Sequence, residues 1–131
     1  MEKINWTDKF NIGHPEIDRQ HRQLIEMLNR LTGTPDVTTS SETVSDILHN
    51  MTQYAQIHFR TEENLLKTVE YPDLKAHKKE HLAYRKKIVD LCKHTMLGFH
   101  DVPEELLRYL HDWWSDHILV EDMKYRDFLQ S

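Results

Sequence analysis

Cysteine is nearly absent from this sequence, and so are the residues that punctuate a chain. A lone cysteine, Cys92, among 131 residues excludes an intramolecular disulfide and suits a reducing, cytoplasmic compartment. Next to Leu91 on an apolar stripe, it reads as a small buried hydrophobe rather than a reactive thiol. Three glycines and four prolines are too few for a turn-rich β-sandwich or a disordered linker. Basic charge is in deficit, with 17 Lys and Arg against 22 Asp and Glu and a net charge of −5. That balance argues against a nucleic-acid partner, which calls for a basic face. No apolar run approaches the roughly 18 residues of a membrane span. The first ten residues carry Glu2, Lys3, Asp8 and Lys9 and lack the apolar stretch of a signal peptide. The length predicts a single domain over residues 1–131.

What is present is helical periodicity. Residues 1–17, with Trp6, Phe10, Ile12, Gly13 and Pro15, read as an irregular N-terminal arm whose aromatics cover one end of a core. Asp18 is placed to cap a first helix through Leu31, with His21, Leu24, Leu28 and Leu31 on its inner face. Thr32-Gly33-Thr34-Pro35-Asp36 breaks it. A second helix from Ser40 or Ser41 to about Val69 turns Val44, Ile47, Met51, Tyr54, His58, Glu62, Leu65 and Val69 inward, in steps of three and four. A third, capped by Asp73, carries Leu74, His77, His81, Tyr84, Ile88, Leu91 and Thr95 and ends before Gly98. Pro103, followed by Glu104 and Glu105, opens a fourth, to about Leu129. Four amphipathic helices over residues 18–129 with short connections predict an all-α fold, an antiparallel up-down-up-down four-helix bundle.

Histidine is abundant: there are ten. Each inner stripe, where apolar residues belong, carries His or a carboxylate at one depth. The set is His21 on the first helix, His58 and Glu62 on the second, His77 and His81 on the third, and His117 and Asp122 on the fourth. A single polar residue on an inner face has a bland explanation. Seven on four faces would each cost free energy unless partnered, and a metal is the simplest common partner. Helical residues four apart are rotated by only ~40° and offset by ~6 Å along the axis, so these pairs converge. Two six-coordinate metals offer twelve positions. Five imidazoles, two bridging carboxylates and one solvent-derived bridge fill all but one, leaving room for one small ligand. The nitrogen-rich set suits iron better than a structural zinc.

The spacing from His117 to Asp122 is five residues, a remainder of ~140° on an α-helix. The stripes before and after this step are regular, which predicts a local widening such as a π-bulge near 117–122. The other histidines, His14, His49, His94, His100 and His111, fall off the inner stripes and read as solvated. Glu63, Glu80 and Glu121 read as surface charges. Met27, Met51, Met96 and Met123 read as core fillers.

Four segments carry a resemblance: Ile17-Asp18-Arg19-Gln20-His21, His58-Phe59-Arg60-Thr61-Glu62-Glu63, His77-Lys78-Lys79-Glu80-His81, and His117-Ile118-Leu119-Val120-Glu121-Asp122. In this order, with the odd five-residue step, and with Trp6 and Asn11-Ile12-Gly13 ahead of them, the chain resembles the hemerythrin family, in particular its single-domain bacterial members. The resemblance implies two non-haem iron ions with an oxo or hydroxo bridge. It places His77, His81 and His117 on one iron and His21 and His58 on the other, the one that stays open, with Glu62 and Asp122 bridging. It implies dioxygen as the ligand, bound end-on at the open iron. Trp114, beside Trp113, stands where many members carry an aliphatic residue over the oxygen pocket. The two tryptophans either narrow gas access and exclude water, or simply fill the bundle.

The reading that follows is a non-enzymatic, monomeric oxygen-binding protein for storage, transport or delivery, with an oxygen-consuming enzyme as recipient. Against it stand a di-iron oxidase, peroxidase or nitric oxide-handling enzyme, and a sensor of oxygen or redox state. The enzyme needs a substrate pocket beside the open position, and the sensor needs an output domain or partner. Iron storage fits poorly with a ligand set that closes around two metals.

Overall fold

Leucine and isoleucine recur every three or four residues because one face of each helix must leave water, and the four faces meet. The computed structural model describes residues 2–34 and 36–130. Its helices are α1 (Pro15–Thr32), α2 (Glu42–Thr68), α3 (Leu74–Met96), α4 (Val102–Asp112) and α5 (Met123–Gln130). A π-helical stretch, Trp113–Asp122, joins α4 to α5, so that these three form one continuous fourth rod. α1 packs on α2 and on the fourth rod, α2 on α3, and α3 on α4, the neighbour relations of an up-down-up-down bundle. No strand occurs among the described residues.

The helix ends differ in detail from the sequence expectation. α1 begins four residues earlier, with Pro15 in its first turn and His14, not Asp18, as cap: His14 Nδ1 accepts from the Ile17 amide at 3.3 Å. Asp18 instead reaches back to the arm, accepting from the amides of Ile12 at 2.6 Å and Gly13 at 3.3 Å. α2 is capped by Ser41, whose Oγ accepts from Val44 N at 3.4 Å. Asp73 precedes α3 but makes no side-chain cap. Two helices close in the same way. After α3, Gly98 takes φ +74° and the Phe99 amide returns to the His94 carbonyl. After α2, Glu70 takes φ +56° and the Tyr71 amide returns to Leu66. Pro35, expected to help end the first helix, lies outside the described residues, as do Met1 and Ser131.

The arm does not sit over an end of the bundle. Ile4 exchanges two hydrogen bonds of 2.7 Å with Asn29, late in α1. Trp6 lies beside Arg22 and Trp114, and Ile12 reaches Asp18. The arm therefore runs back along α1, in the seam with the fourth rod. Of the methionines, Met27 and Met51 are buried and Met123 is half-buried, but Met96, in the last turn of α3, is exposed. Cys92 is half-buried against the core.

The apolar core is in two parts. The larger includes Leu24, Leu28, Met51, Phe59, Tyr84, Ile88, Leu110 and Trp113. The smaller gathers Ile12, Ile17, Leu66, Tyr71 and Tyr125. Along α1, α2 and the fourth rod, buried polar residues lie between the two.

Candidate metal centre

His21, His58, Glu62, His77, His81, His117 and Asp122 are each at most 3% exposed. α1 delivers His21, α2 delivers His58 and Glu62 four residues apart, and α3 delivers His77 and His81 four apart. His117 and Asp122 both face inward because the backbone between them is π-helical, wider than an α-helix and bonded from each residue to the fifth along. The widening is longer than the sequence suggests: it begins at Trp113 and spans ten residues, turning Trp113 and Ile118, also five apart, into the core.

Two quartets could each hold a metal ion: Glu62 with His77, His81 and His117, and His21 with His58, Glu62 and Asp122. Within each, the ligand atoms lie within 4.8 Å of one another. The two carboxylates divide their oxygens between the groups. Glu62 Oε1 meets His77 Nε2 and lies 3.0 Å from His81 Nε2. Its Oε2 lies 3.1 Å from His58 Nε2 and 3.7 Å from His21 Nε2. Asp122 Oδ1 lies 2.9 Å from His77 and 3.1 Å from His117, while Oδ2 lies 3.1 Å from His21.

His77 and His81 Nε2 meet Glu62 Oε1 with hydrogen-bond geometry, but the approaches to Asp122 are not hydrogen bonds. The Nε2 atoms of His21 and His117 and both Asp122 oxygens are buried with no hydrogen-bond partner among the described residues. Lone pairs that converge within about 3 Å without lying along N–H···O lines are what a cation between them would satisfy, and an imidazole and carboxylate donor set suits iron. The residues present therefore fit a dinuclear metal centre.

The outward ring nitrogens are held from behind. His58 Nδ1 is 2.6 Å from Gln20 Oε1, His81 Nδ1 is 2.7 Å from Glu63 Oε2, and His117 Nδ1 is 3.3 Å from Glu80 Oε1. An Nδ1–H donated outward leaves the Nε2 lone pair aimed at the centre. Glu63 and Glu80 were expected on the surface. Each is partly buried because its chain reaches to a histidine of the next helix. Gln20 is a further partner that the stripe pattern missed, and Tyr125, on the inner stripe after Asp122, adds a hydroxyl that donates to Glu62 Oε2 at 3.0 Å. Acidic residues adjacent to ligands, as in Glu62-Glu63 and Glu80-His81, were the available signal. Glu121 is a surface charge as expected, paired with Lys124.

Protons respond to the same carboxylates. Burial pushes the His21, His77 and His117 imidazoles down, but Asp122 and Glu62 overcome it and hold them at about 9, 10 and 9. At His58 burial prevails and the value falls. Burial opposes ionisation of Glu62 and Asp122, yet the surrounding histidines keep both carboxyls well below the ordinary range. The centre thus collects positive charge, which metal ions would supply in place of protons.

Trp113 stacks on His117 with ring centres 3.9 Å apart. Trp114 turns its ring to Phe10 at 4.9 Å and Trp6 at 6.3 Å, toward the arm. Tyr54, one turn before His58, stacks on that histidine at 4.7 Å. The five remaining histidines join neither quartet. His14 caps α1, His94 pairs with Glu105 at 3.2 Å, His111 lies 3.6 Å from Asp112, and His49 and His100 are exposed. A groove of about 400 Å³ opens between α1 and α2, with Gln20, Tyr54 and His58 among its lining residues. No helix is long and apolar enough to cross a membrane, among the described residues.

A family model described as the hemerythrin HHE cation binding domain matches residues 13–129. Among similar proteins, a bacteriohemerythrin of Stenotrophomonas maltophilia is 33% identical over 97% of this chain and 82% of its own. A bacteriohemerythrin of Clostridium acetobutylicum is 31% identical over 93% of this chain and 98% of its own. A hemerythrin-like protein of Naegleria gruberi is 29% identical, covering 96% and 93%. The crystal structure of a hemerythrin point mutant superposes with a TM-score of 0.78 at 28% identity, over 100% of both chains.

Proposed function

The chain belongs to the hemerythrin family, and from that premise we propose that it binds dioxygen reversibly at a non-haem di-iron centre, for oxygen storage, transport or delivery rather than catalysis. Residues 1–131 act as one domain and as a monomer in this reading, and the recipient is an oxygen-consuming enzyme. One observation carries the reading: Glu62 and Asp122 each turn one oxygen toward His77 with His81 or His117, and the other toward His21, joined for Glu62 by His58. Both carboxylates would be shared between the two metal positions. His77, His81 and His117 would hold one iron, and His21 and His58 the other, leaving room there for a small ligand.

When bound, the iron pair supplies the two electrons and the open position that reversible dioxygen binding requires. The chain supplies the setting. Gln20, Glu63 and Glu80 fix ring orientation and tautomer at His58, His81 and His117. The Tyr125 hydroxyl holds the Glu62 carboxylate in place. Leu24, Phe59, Trp113 and Ile118, all buried, keep water out, which favours release of dioxygen over loss of electrons. Trp113 flanks His117, whereas Trp114 closes the seam with the arm, so in this reading Trp113 is the tryptophan that shapes the pocket.

Anaerobic loading with ferrous iron, followed by admission and withdrawal of oxygen under an optical spectrometer, tests the reading. We expect a pair of irons per chain and a visible charge-transfer band that comes and goes with oxygen. The second reading is an oxidase, peroxidase or nitric oxide-handling enzyme. The groove between α1 and α2 that reaches His58 favours it, since it gives a substrate a place beside the open position. Iron that oxidises at once and never releases oxygen would decide for that second reading.

A further inference from the structure

Two buried hydrogen-bond donors beside the centre have no acceptor. The Tyr54 hydroxyl and the Trp113 indole Nε1 are both inaccessible to solvent and bond to nothing among the described residues. Tyr54 is 4% exposed and Trp113 7% exposed. Native interiors rarely leave such groups unsatisfied, because each costs on the order of 1–3 kcal/mol. Tyr84, the neighbouring phenol, by contrast donates to the Met51 carbonyl at 3.3 Å.

Their placement is specific. Tyr54 is one turn before His58 and stacks on its ring, and Trp113 is four residues before His117 and stacks on its ring. Both thus stand on the same side of the ligand layer, one from α2 and one from the fourth rod. An indole can only donate, whereas a phenol can accept and donate at once. With no partner among the described residues, both groups are left to donate to a third atom.

We infer that Tyr54 and Trp113 form a donor seat for the partly negative far end of a small ligand held at the open position, so that the pocket favours small linear or diatomic ligands that carry or acquire negative charge. The inference rests on the di-iron reading and adds to it a source of polar selectivity beside an otherwise apolar core. The α1–α2 groove, which reaches Tyr54 and His58, gives such ligands a way in.

Azide is a suitable probe: small, linear and anionic. The unaltered chain, Tyr54→Phe, Trp113→Phe and Tyr84→Phe are loaded with iron, oxidised with ferricyanide, assayed for iron per chain and titrated with azide. Tyr54→Phe is expected to raise the azide Kd about tenfold, as loss of a hydrogen bond to a charged group does. Trp113→Phe, which keeps the stack on His117, should raise it by a smaller factor, and Tyr84→Phe should leave it unchanged. The infrared stretch of bound azide should shift between H₂O and D₂O in the unaltered chain and lose that shift in Tyr54→Phe. Full iron loading with equal azide affinity in Tyr54→Phe, or no solvent-isotope shift in the unaltered chain, would overturn the inference and leave the di-iron reading standing. Failure of the unaltered chain to hold a pair of irons would overturn the di-iron reading instead. Should Tyr54→Phe fail to load, the isotope shift and Trp113→Phe still decide.

Discussion

At Glu63 a carboxylate that touches no metal position decides where an imidazole points. Its Oε2 takes the Nδ1 side of His81 at 2.7 Å, and the bond draws the Glu63 carboxyl below its ordinary value. Glu63→Ala frees the ring to rotate and to change tautomer. Iron affinity, read by competition with a chelator, should fall about 10- to 100-fold while the fold persists. Glu105 offers a milder test away from the centre. Lys87 at 2.7 Å and His94 at 3.2 Å hold its carboxyl below the ordinary range. Its stabilisation is present above the unfolded value near 4.5 and is lost as pH falls through the lower folded value. Glu105→Gln should therefore cost under about 1 kcal/mol at pH 7 and progressively less as pH falls below 4.5, in paired denaturation curves. The seven converging residues were legible in the sequence because a polar residue on an apolar stripe breaks a pattern. Glu63, Glu80 and Gln20 were not. They sit next to the stripe, where polar residues are expected, and only the packing of one helix on the next shows that their chains reach inward.

Among the helical elements, the end of α2 carries a residue at odds with its conformation. Glu70 occupies the left-handed position that Gly98 fills after α3, with the same return of the following amide to the last turn. A side chain there costs about 1 kcal/mol that glycine avoids. Glu70→Gly should raise the melting temperature by a few degrees, as about 1 kcal/mol does in a domain of this size, with no change in iron content. The periodicity ends this helix near Val69 but carries no sign of the conformation that follows, since glutamate is a poor marker of it. The π-helical stretch was legible for the opposite reason. His117 and Asp122 could not share a face on an unbroken α-helix, so the five-residue step had to be absorbed by the backbone. Its extension back to Trp113 was not legible, because large apolar residues suit either helix.

For the molecule as a whole, the centre lies between two apolar clusters that do not merge. Anything that binds the folded chain and not the unfolded one stabilises it, by about 4 kcal/mol at a thousandfold excess over Kd. Loading with iron should accordingly raise the melting temperature, and chelation should lower it again, in calorimetry on the same sample. The four-rod architecture was readable from periodicity alone. The course of the arm was not, because nothing in Trp6 or Phe10 says whether they close an end or a seam; the contacts with Asn29, Arg22 and Trp114 decide it. The break between the clusters has a further consequence. Without metal, the weakest layer of the bundle is the one that crosses α1, α2 and the fourth rod together, so opening there exposes several backbone segments at once. A protease should cut the metal-free chain faster than the loaded one, and a time course of limited digestion would show it. The lifetime of each molecule would then follow the iron it carries: a starved cell would dismantle the idle copies first and keep those already furnished.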